Sequence, residues 1–301
     1  LSHFFERAEI ARGSIAEYTD YREMLEKENL DVISVATPDH LHTDPVCEAS
    51  EAGMKGILCE KPLATTVEDA DRMIEVTERN GTKVSVDHTR SFIPSYQAVR
   101  QAIRVGEIGG LTRIIAHMVG RRSMLFRNGT HIIDLMCFFA DAEPQWVIAA
   151  HERGFEDYGP VYDGKGGKDP QFDPGTTLII EFANGVRGIL NSAKLTPQFF
   201  ECDLQGPGGR FIIDDHRCQA WKCDELEGKL REIEPPPERG YAQPFGENLI
   251  PAVQELAQMI RGDASSSSPV RRGRDTLEIL IAALASQEAG SAKIELPLPR
   301  G

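Results

Sequence analysis

The stretch Gly56-Ile57-Leu58-Cys59-Glu60-Lys61-Pro62-Leu63 decides the fold. Its apolar start, without polar alternation, predicts a strand that is buried on both faces, as strands of parallel sheets are. Pro62 ends this strand because it cannot donate to the ladder, and it favours an extended backbone at Lys61. We therefore expect the amine of Lys61 at the carboxyl end of its strand, the edge where open parallel α/β sheets bind ligands.

Two further apolar runs flank this stretch and predict two more parallel strands. Residues 30–36 form one run, which ends at Thr37-Pro38, and residues 83–86 form the other. Helices are expected between the strands, over residues 44–53 and 67–79, the second capped by Thr66. Strands separated by helices of this length predict a right-handed βαβαβ arrangement.

The motifs that follow these strands resemble those of the Gfo/Idh/MocA family of NAD(P)-dependent oxidoreductases. The resemblance rests on Ala36-Thr37-Pro38 with His42, on Glu60-Lys61-Pro62, and on Asp87-His88-Thr89-Arg90. It implies an α/β fold with an N-terminally incomplete Rossmann-type parallel sheet and an α+β domain with a large, mostly antiparallel sheet. We assign residues 1–92 to the incomplete dinucleotide-binding domain and residues 93–301 to the substrate and oligomerisation domain.

The second half of the sequence supports this division. Short runs joined by turns predict antiparallel strands over residues 111–119, 146–151, 176–182, 186–192, 199–205 and 210–213. Asn184-Gly185 is a hairpin signal, and the Gly-Pro-Gly-Gly stretch at 206–209 predicts another tight turn. The serine-rich residues 262–269 predict a flexible connector, and a final helix is expected over 275–289.

One feature of a complete dinucleotide-binding domain is missing from the sequence. Such a domain begins with a strand, a glycine-rich turn and a helix, but no Gly-x-Gly-x-x-Gly motif occurs in this chain. We favour a start downstream of the true one over a real loss of the pyrophosphate cradle, because the other cofactor motifs would otherwise serve little purpose. The residue that selects NAD or NADP belongs to the same missing unit.

A second constellation surrounds His131. We expect Thr130 to cap the following helix, so that His131 lies on its first turn, where the helix dipole lowers the pKa of an imidazole. On spacing alone, a buried His131 bonded to Asp134 is the alternative. The resemblance implies instead that His131 is the catalytic acid or base and that Lys61 is its catalytic partner.

The resemblance further implies a nicotinamide cofactor, NAD or NADP, at the strand ends. The implied cofactor-binding residues are Ala36, Thr37, Pro38, His42, Glu60, Lys61 and His88. The substrate candidates are Arg90, Arg122, Arg127 and Asn128. Many family members carry an aspartate where this chain has Arg127. Two interpretations of the arginines stay open: they bind an acidic or phosphorylated substrate, or they are ordinary solvated residues of the surface.

Composition narrows the possible partners. The net charge of −14 over 301 residues disfavours a nucleic-acid surface, and the Arg271-Arg272 pair with Arg274 is interpreted as solvated or helix-capping. The six cysteines contain no Cys-x-x-Cys pair, which favours free thiols in a reducing cytoplasm and no metal site. No apolar run approaches the roughly 20 residues that a membrane span needs. The resemblance adds homo-oligomerisation through the antiparallel sheet.

These observations favour an NAD(P)-dependent oxidoreductase that transfers a hydride between the cofactor and a sugar, a polyol or a related hydroxylated small molecule. Two alternatives stay open. One is an NAD-using glycosidase of the same family, in which a transient oxidation permits elimination of the glycosidic bond. The other is a non-catalytic binding protein that lacks the nucleotide cradle, which the absent glycine motif favours.

Overall fold

The structure, a computed structural model, describes residues 15–120, 125–154, 162, 175–194, 198–224, 228–236 and 249–300. The predicted substrate residue Arg122 therefore lies outside the described residues. Within them, no helix is both long enough and apolar enough to cross a bilayer.

The first sheet contains three described strands, parallel and in chain order: β1 (Val32–Val35), β2 (Gly56–Cys59) and β3 (Lys83–Val86). All four residues of β2 are buried, as its sequence predicts. Helix α1 (Tyr21–Lys27) precedes the sheet, and α2 (Thr43–Glu51) and α3 (Val67–Asn80) connect its strands. The parallel βαβαβ arrangement is confirmed.

The cap predicted for the third helix is also confirmed. The Thr66 hydroxyl accepts a hydrogen bond from the Asp69 N–H at 3.1 Å and so satisfies one of the free donors of the first turn. Gly81 ends this helix with a left-handed backbone at φ 73°, a conformation that glycine adopts without steric cost.

The second sheet contains nine described strands in the order β11-β10-β9-β8-β4-β7-β6-β5-β12. Their bounds are β4 (Arg113–Gly120), β5 (Pro144–His151), β6 (Thr176–Phe182), β7 (Arg187–Lys194), β8 (Phe199–Gly206), β9 (Gly209–Asp214), β10 (Cys218–Cys223), β11 (Leu230–Ile233) and β12 (Ile294–Glu295). All described pairs are antiparallel except β4 with β7. The mostly antiparallel sheet and both predicted hairpins are confirmed.

Four more helices complete the described part of the chain: α4 (Pro94–Arg104), α5 (Thr130–Ala140), α6 (Leu249–Arg261) and α7 (Val270–Glu288). Although α6 follows the second sheet in sequence, it returns to the first one. Its Leu256 and Met259 pack in one apolar cluster with Leu58 of β2. Helix α6 thus covers one face of β2, although it lies beyond the second sheet in the sequence.

The serine-rich connector is not the flexible segment that its composition predicts. The Val86 N–H donates to the Ser268 carbonyl at 2.9 Å, and the hydroxyls of Ser85 and Ser266 lie 2.8 Å apart. Ser268 is fully buried. The segment is fixed because β3 is an edge strand of the described sheet, and its backbone groups need partners.

The prediction of a solvated arginine cluster holds for only one of its three members. Arg271 is exposed and pairs with Glu78. Arg272 instead forms a 2.7 Å ion pair with buried Asp134, and Arg274 forms a 2.6 Å ion pair with buried Glu278. The prediction is wrong for these two arginines because local sequence does not reveal burial: Asp134 lies on another helix, and Glu278, four residues after Arg274 on α7, is itself buried.

Replacing Glu278 with glutamine is expected to destabilise the protein. Glu278 is 1% exposed, and its carboxylate accepts hydrogen bonds from Arg274, Arg300 and the Leu298 N–H. The change leaves the Arg274 charge without its buried partner, at a cost of about 3 kcal/mol in the free energy of unfolding. Urea denaturation measures this loss. The exposed Glu288→Gln variant is the matched control, and equal stability of the two variants would contradict the assigned role.

Candidate active site

Lys61 lies directly after β2, as predicted, with its side chain directed into the protein. Its Nζ donates to the Arg127 carbonyl at 2.9 Å, and its backbone N–H donates to Glu60 Oε2 at 3.0 Å. Burial is the main cause that lowers the pKa of Lys61, while the neighbouring Glu60 carboxylate raises it. The side chain is thus a partly desolvated cation at the ligand-binding edge of the sheet.

His42 connects two of the strand ends. Its Nε2 lies 2.9 Å from the Thr37 carbonyl, and its Nδ1 lies 3.0 Å from the Pro62 carbonyl. The side chain is fully buried. His42 therefore fixes the turns after β1 and β2, a placement that lends no support to the predicted cofactor-binding role.

A π-helical turn, Leu125–Gly129, brings the segment before His131 to the first sheet. Arg127 Nε of this turn lies 3.7 Å from Asp39 Oδ2, which also accepts a hydrogen bond from the Tyr162 hydroxyl. The rings of Phe126 and Tyr162 stack with centroids 3.8 Å apart. Arg127, a predicted substrate residue, thus anchors the turn to the loop after β1.

The helix that carries His131 begins directly after this turn, without the predicted cap. The hydroxyl of Thr130 lies 2.9 Å from His88 Nε2 instead of bonding to its own helix. The pKa of His131 is still well below its ordinary value, but the first cause is burial, followed by the charges of Arg90 and Lys61. The direction expected from the sequence is right, and the capping prediction is wrong.

His88 lies beneath His131 and links it to a buried ion pair. The two imidazole rings are 6.1 Å apart and nearly perpendicular. Nδ1 of His88 is 3.3 Å from Asp134 Oδ1. Asp134 accepts hydrogen bonds from Ser91 at 2.9 Å and from Arg272 at 2.7 Å.

This arrangement contradicts one prediction and lends no support to another. Asp134 contacts His88 and not His131, so the alternative of a structural His131–Asp134 bond is wrong. His88 is 1% exposed with protein neighbours at both ring nitrogens, a placement that does not support the predicted cofactor contact. In the described part of the chain, Nδ1 of His131 is buried and has no hydrogen-bond partner.

His131 opens onto a cavity of about 690 Å³. The described lining is Arg90, Met118, Val119, Gly120, Asn128, His131, Gln198, Phe199, Phe200, Asp214, Asp215 and His216. The cavity thus brings together His131 and two of the predicted substrate residues, Arg90 and Asn128. The lining residues between 198 and 216 were not predicted as site residues, because they lie at the start of β8 and at the end of β9 and carry no motif of their own.

Comparison with known proteins assigns the chain to a family. Residues 4–88 match the family profile described as "Oxidoreductase family, NAD-binding Rossmann fold", GFO_IDH_MocA. D-apiose dehydrogenase of Paraburkholderia graminis is 39% identical over 285 residues, which cover 87% of this chain and 72% of that protein. The chain belongs to the Gfo/Idh/MocA family of oxidoreductases.

Two further members of the Gfo/Idh/MocA family bear on the extent of the match. The rhizopine catabolism protein MocA of Rhizobium meliloti is 33% identical over 105 residues, which span 35% of this chain but only 33% of that relative's length. A solved levoglucosan dehydrogenase, in complex with NADH and L-sorbose, has a TM-score of 0.77 at 21% identity and covers 93% of this chain and 83% of its own. The structural likeness shows the shared fold.

The strand ends of this Gfo/Idh/MocA chain fit the nicotinamide end of NAD(P). Ala36, Thr37 and Pro38 are exposed, and Glu60 and Lys61 are half-buried beside them. A carboxylate can accept hydrogen bonds from ribose hydroxyls, and the small residues at 36–38 allow close approach of a ring. The predicted cofactor residues that remain open to a ligand are thus these five.

Arg90 enters the cavity as half of an ion pair. Its Nε donates to Asp215 Oδ1 at 2.8 Å, and its guanidinium carbon lies 3.6 Å from the centre of the Phe200 ring. The Tyr96 hydroxyl donates to the same carboxylate at 2.9 Å. The charge of Arg90 is therefore balanced by Asp215, and the ring of Phe200 fixes its plane.

Acid is expected to destabilise the protein through His88. Burial lowers the pKa of His88 to about 4, whereas an unfolded imidazole titrates near 6.5. Between these values the unfolded state binds more protons, so stability falls as the pH decreases, by about 3 kcal/mol over the whole window.

The measurement is urea denaturation of the wild type and of His88→Asn from pH 7 to pH 4. The variant lacks this titration, so its stability should depend less steeply on pH. Comparing the two slopes removes the contribution of other groups such as Asp87, whose pKa burial raises to about 6 and which acts in the opposite direction. Identical slopes would show that His88 is not a neutral buried group.

Proposed function

We propose that the chain carries the catalytic residues of an NAD(P)-dependent dehydrogenase of sugars or polyols, with Lys61 and His131 as the catalytic pair. One observation carries the proposal. The ammonium of Lys61 binds the carbonyl of Arg127, four residues before His131, and its charge is one of the causes that lower the pKa of His131, so the cation acts on the imidazole that lines the cavity.

The two side chains supply complementary chemistry. His131, whose pKa is held low by burial, is neutral and takes the proton from a substrate hydroxyl. The Lys61 ammonium stabilises the negative charge that develops on the oxygen as that proton leaves. NAD(P), when bound at the strand ends, supplies the hydride acceptor. His88 holds Thr130 and, through it, the first turn of the helix that carries His131.

The charges of the cavity support an uncharged hydroxylated substrate. The charge of Arg90 is neutralised by Asp215. Asp214 adds a second carboxylate to the lining, and its Oδ2 lies 2.9 Å from Nε of Arg217, which is not part of the described lining. The rings of Phe199 and Phe200 offer faces on which the C–H groups of a sugar ring can pack. This balance favours a neutral polyol over the acidic or phosphorylated substrate that the arginines left open.

A neutral substrate and its phosphate ester distinguish the two possibilities. For any sugar or polyol that the enzyme oxidises, phosphorylation is expected to raise KM about tenfold or more, since a dianion loses its hydration in a cavity whose lining arginine, Arg90, is already paired with a carboxylate. Steady-state kinetics with both compounds measures the ratio. A lower KM for the ester would contradict the charge argument.

The proposed reaction itself is tested by incubating the full-length protein with NAD or NADP and a panel of neutral sugars and polyols. Net formation of reduced nicotinamide supports the dehydrogenase. Release of an aglycone without net reduction would support the glycosidase alternative, and no binding of either nucleotide in an equilibrium titration would support the binding protein. A cytoplasmic location and homo-oligomerisation through the second sheet are parts of the same proposal.

A further inference from the structure

A second cleft, of about 600 Å³, lies between helix α4, Phe138 of α5 and the serine-rich segment before α7. It has no lining residue in common with the cavity at His131. Its described lining includes three arginines, two glutamines and three serines, and no carboxylate among the described residues. In a chain with a net charge of −14, a cleft with this lining concentrates positive charge.

Of the three arginines of the cleft, Arg272 is paired with buried Asp134, whereas the other two carry more positive charge than their common partner balances. Arg100 and Arg104 share one carboxylate, that of Asp141, at 2.5 and 2.8 Å. The guanidinium carbons of Arg100 and Arg272 lie 4.3 and 5.2 Å from the centre of the Phe138 ring. One positive charge of the pair Arg100 and Arg104 is therefore not balanced by Asp141.

The opposite wall of the cleft is held in place by side-chain hydrogen bonds. The Ser267 hydroxyl donates to Glu255 at 2.5 Å and accepts from Gln97 at 3.0 Å, and the Ser267 carbonyl accepts from Arg272 at 2.7 Å. The wall is therefore formed before any ligand arrives, which reduces the entropy that binding would cost.

We propose that this cleft binds a small oxyanion, a phosphate group that is either free or part of a phosphorylated metabolite. Guanidinium groups bind phosphate oxygens through parallel N–H donors, and the guanidinium groups of Arg100 and Arg104 both line the cleft. Arg104 supplies the second cation from the same helix, one turn further on. The site is separate from the proposed reaction, because the cleft shares no described lining residue with the cavity at His131.

Isothermal titration of the full-length protein tests this proposal without any nicotinamide or substrate. Inorganic phosphate, pyrophosphate and glycerol phosphate are titrated at constant ionic strength, with chloride as the reference anion. The expected result is saturable binding by the wild type at millimolar concentrations or below. Arg104→Gln, which changes a half-exposed side chain, is expected to weaken binding about tenfold.

The control is Arg113→Gln, which removes the same charge from exposed Arg113 of β4, outside the cleft, and should leave the affinity unchanged. Tighter binding of glycerol phosphate than of inorganic phosphate would identify a phosphorylated metabolite, and the reverse would identify the free ion. No saturable binding up to about 10 mM, ten times a 1 mM Kd, would overturn the proposal. An equal loss of phosphate affinity in both variants would show that the anion responds only to the overall charge of the protein. This result would also overturn the proposal.

Discussion

Replacing His131 with glutamine is expected to lower kcat by about 10²–10⁴-fold, the usual contribution of a positioned general base. Glutamine keeps a polar side chain of similar reach but cannot take a proton at neutral pH. Because His131 borders the cavity and its Nδ1 has no hydrogen-bond partner among the described residues, the substitution breaks no described hydrogen bond of that nitrogen. The measurement is kcat with the best neutral substrate of the panel, together with the free energy of unfolding.

The matched control for this variant is His151→Gln. His151 is a half-buried histidine of β5, with Nδ1 3.0 Å from the Thr176 hydroxyl and Nε2 3.1 Å from the Ala283 carbonyl. Its replacement should reduce stability and leave kcat at the wild-type level. A His131→Gln enzyme with normal kcat would remove His131 from the mechanism.

The pH dependence of the wild type gives the same residue a second test. A base whose pKa lies well below the ordinary 6.5 stays neutral through the physiological range. The rate should therefore be constant near neutrality and fall only when the pH drops below about 6.5. The direction follows from burial and from the charges of Arg90 and Lys61, which all disfavour a protonated imidazole. A half-maximal rate above pH 7 would contradict this electrostatic account.

Local sequence was sufficient for the features that depend on neighbours in the chain. The end of β2 before Lys61, the cap at Thr66 and the hairpin at Asn184-Gly185 each follow from the backbone preferences of two or three consecutive residues. The strands β10, β11 and β12 escaped prediction, since they are short and their alternation is weak. Their pairing is set by the neighbouring strands more than by their own residues.

The site shows the same limit at the level of side chains. Sequence spacing suggested that Asp134 would bond to His131, three residues before it on one helix. In the structure, Asp134 contacts His88 and Arg272, which are 46 and 138 residues away. The cavity wall at Asp215 and the anchor at Tyr162 also come from distant segments. Predicting such contacts requires the packed fold, whereas predicting that Lys61 follows its strand required only the local motif.

Replacing Lys61 with methionine is expected to lower kcat by about 10²–10³-fold, as the loss of one positioned group that stabilises developing negative charge does. Methionine fills a similar volume and suits a partly desolvated position, so the fold should persist. Its loss of the hydrogen bond to the Arg127 carbonyl costs about 1 kcal/mol of stability. The measurements are kcat, the affinity for reduced nicotinamide and the free energy of unfolding.

The control for the charge change is Lys55→Met, which removes an exposed lysine that pairs with Asp31 at 2.7 Å, just before β2. It should retain wild-type kcat, because exposed ion pairs contribute little and this one lies at the opposite end of the strand from Lys61. If Lys61 acts in the transition state, Lys61→Met loses kcat while nucleotide affinity changes far less. A variant that lost affinity alone, with normal kcat at saturation, would make Lys61 a binding residue and leave His131 without its electrostatic partner.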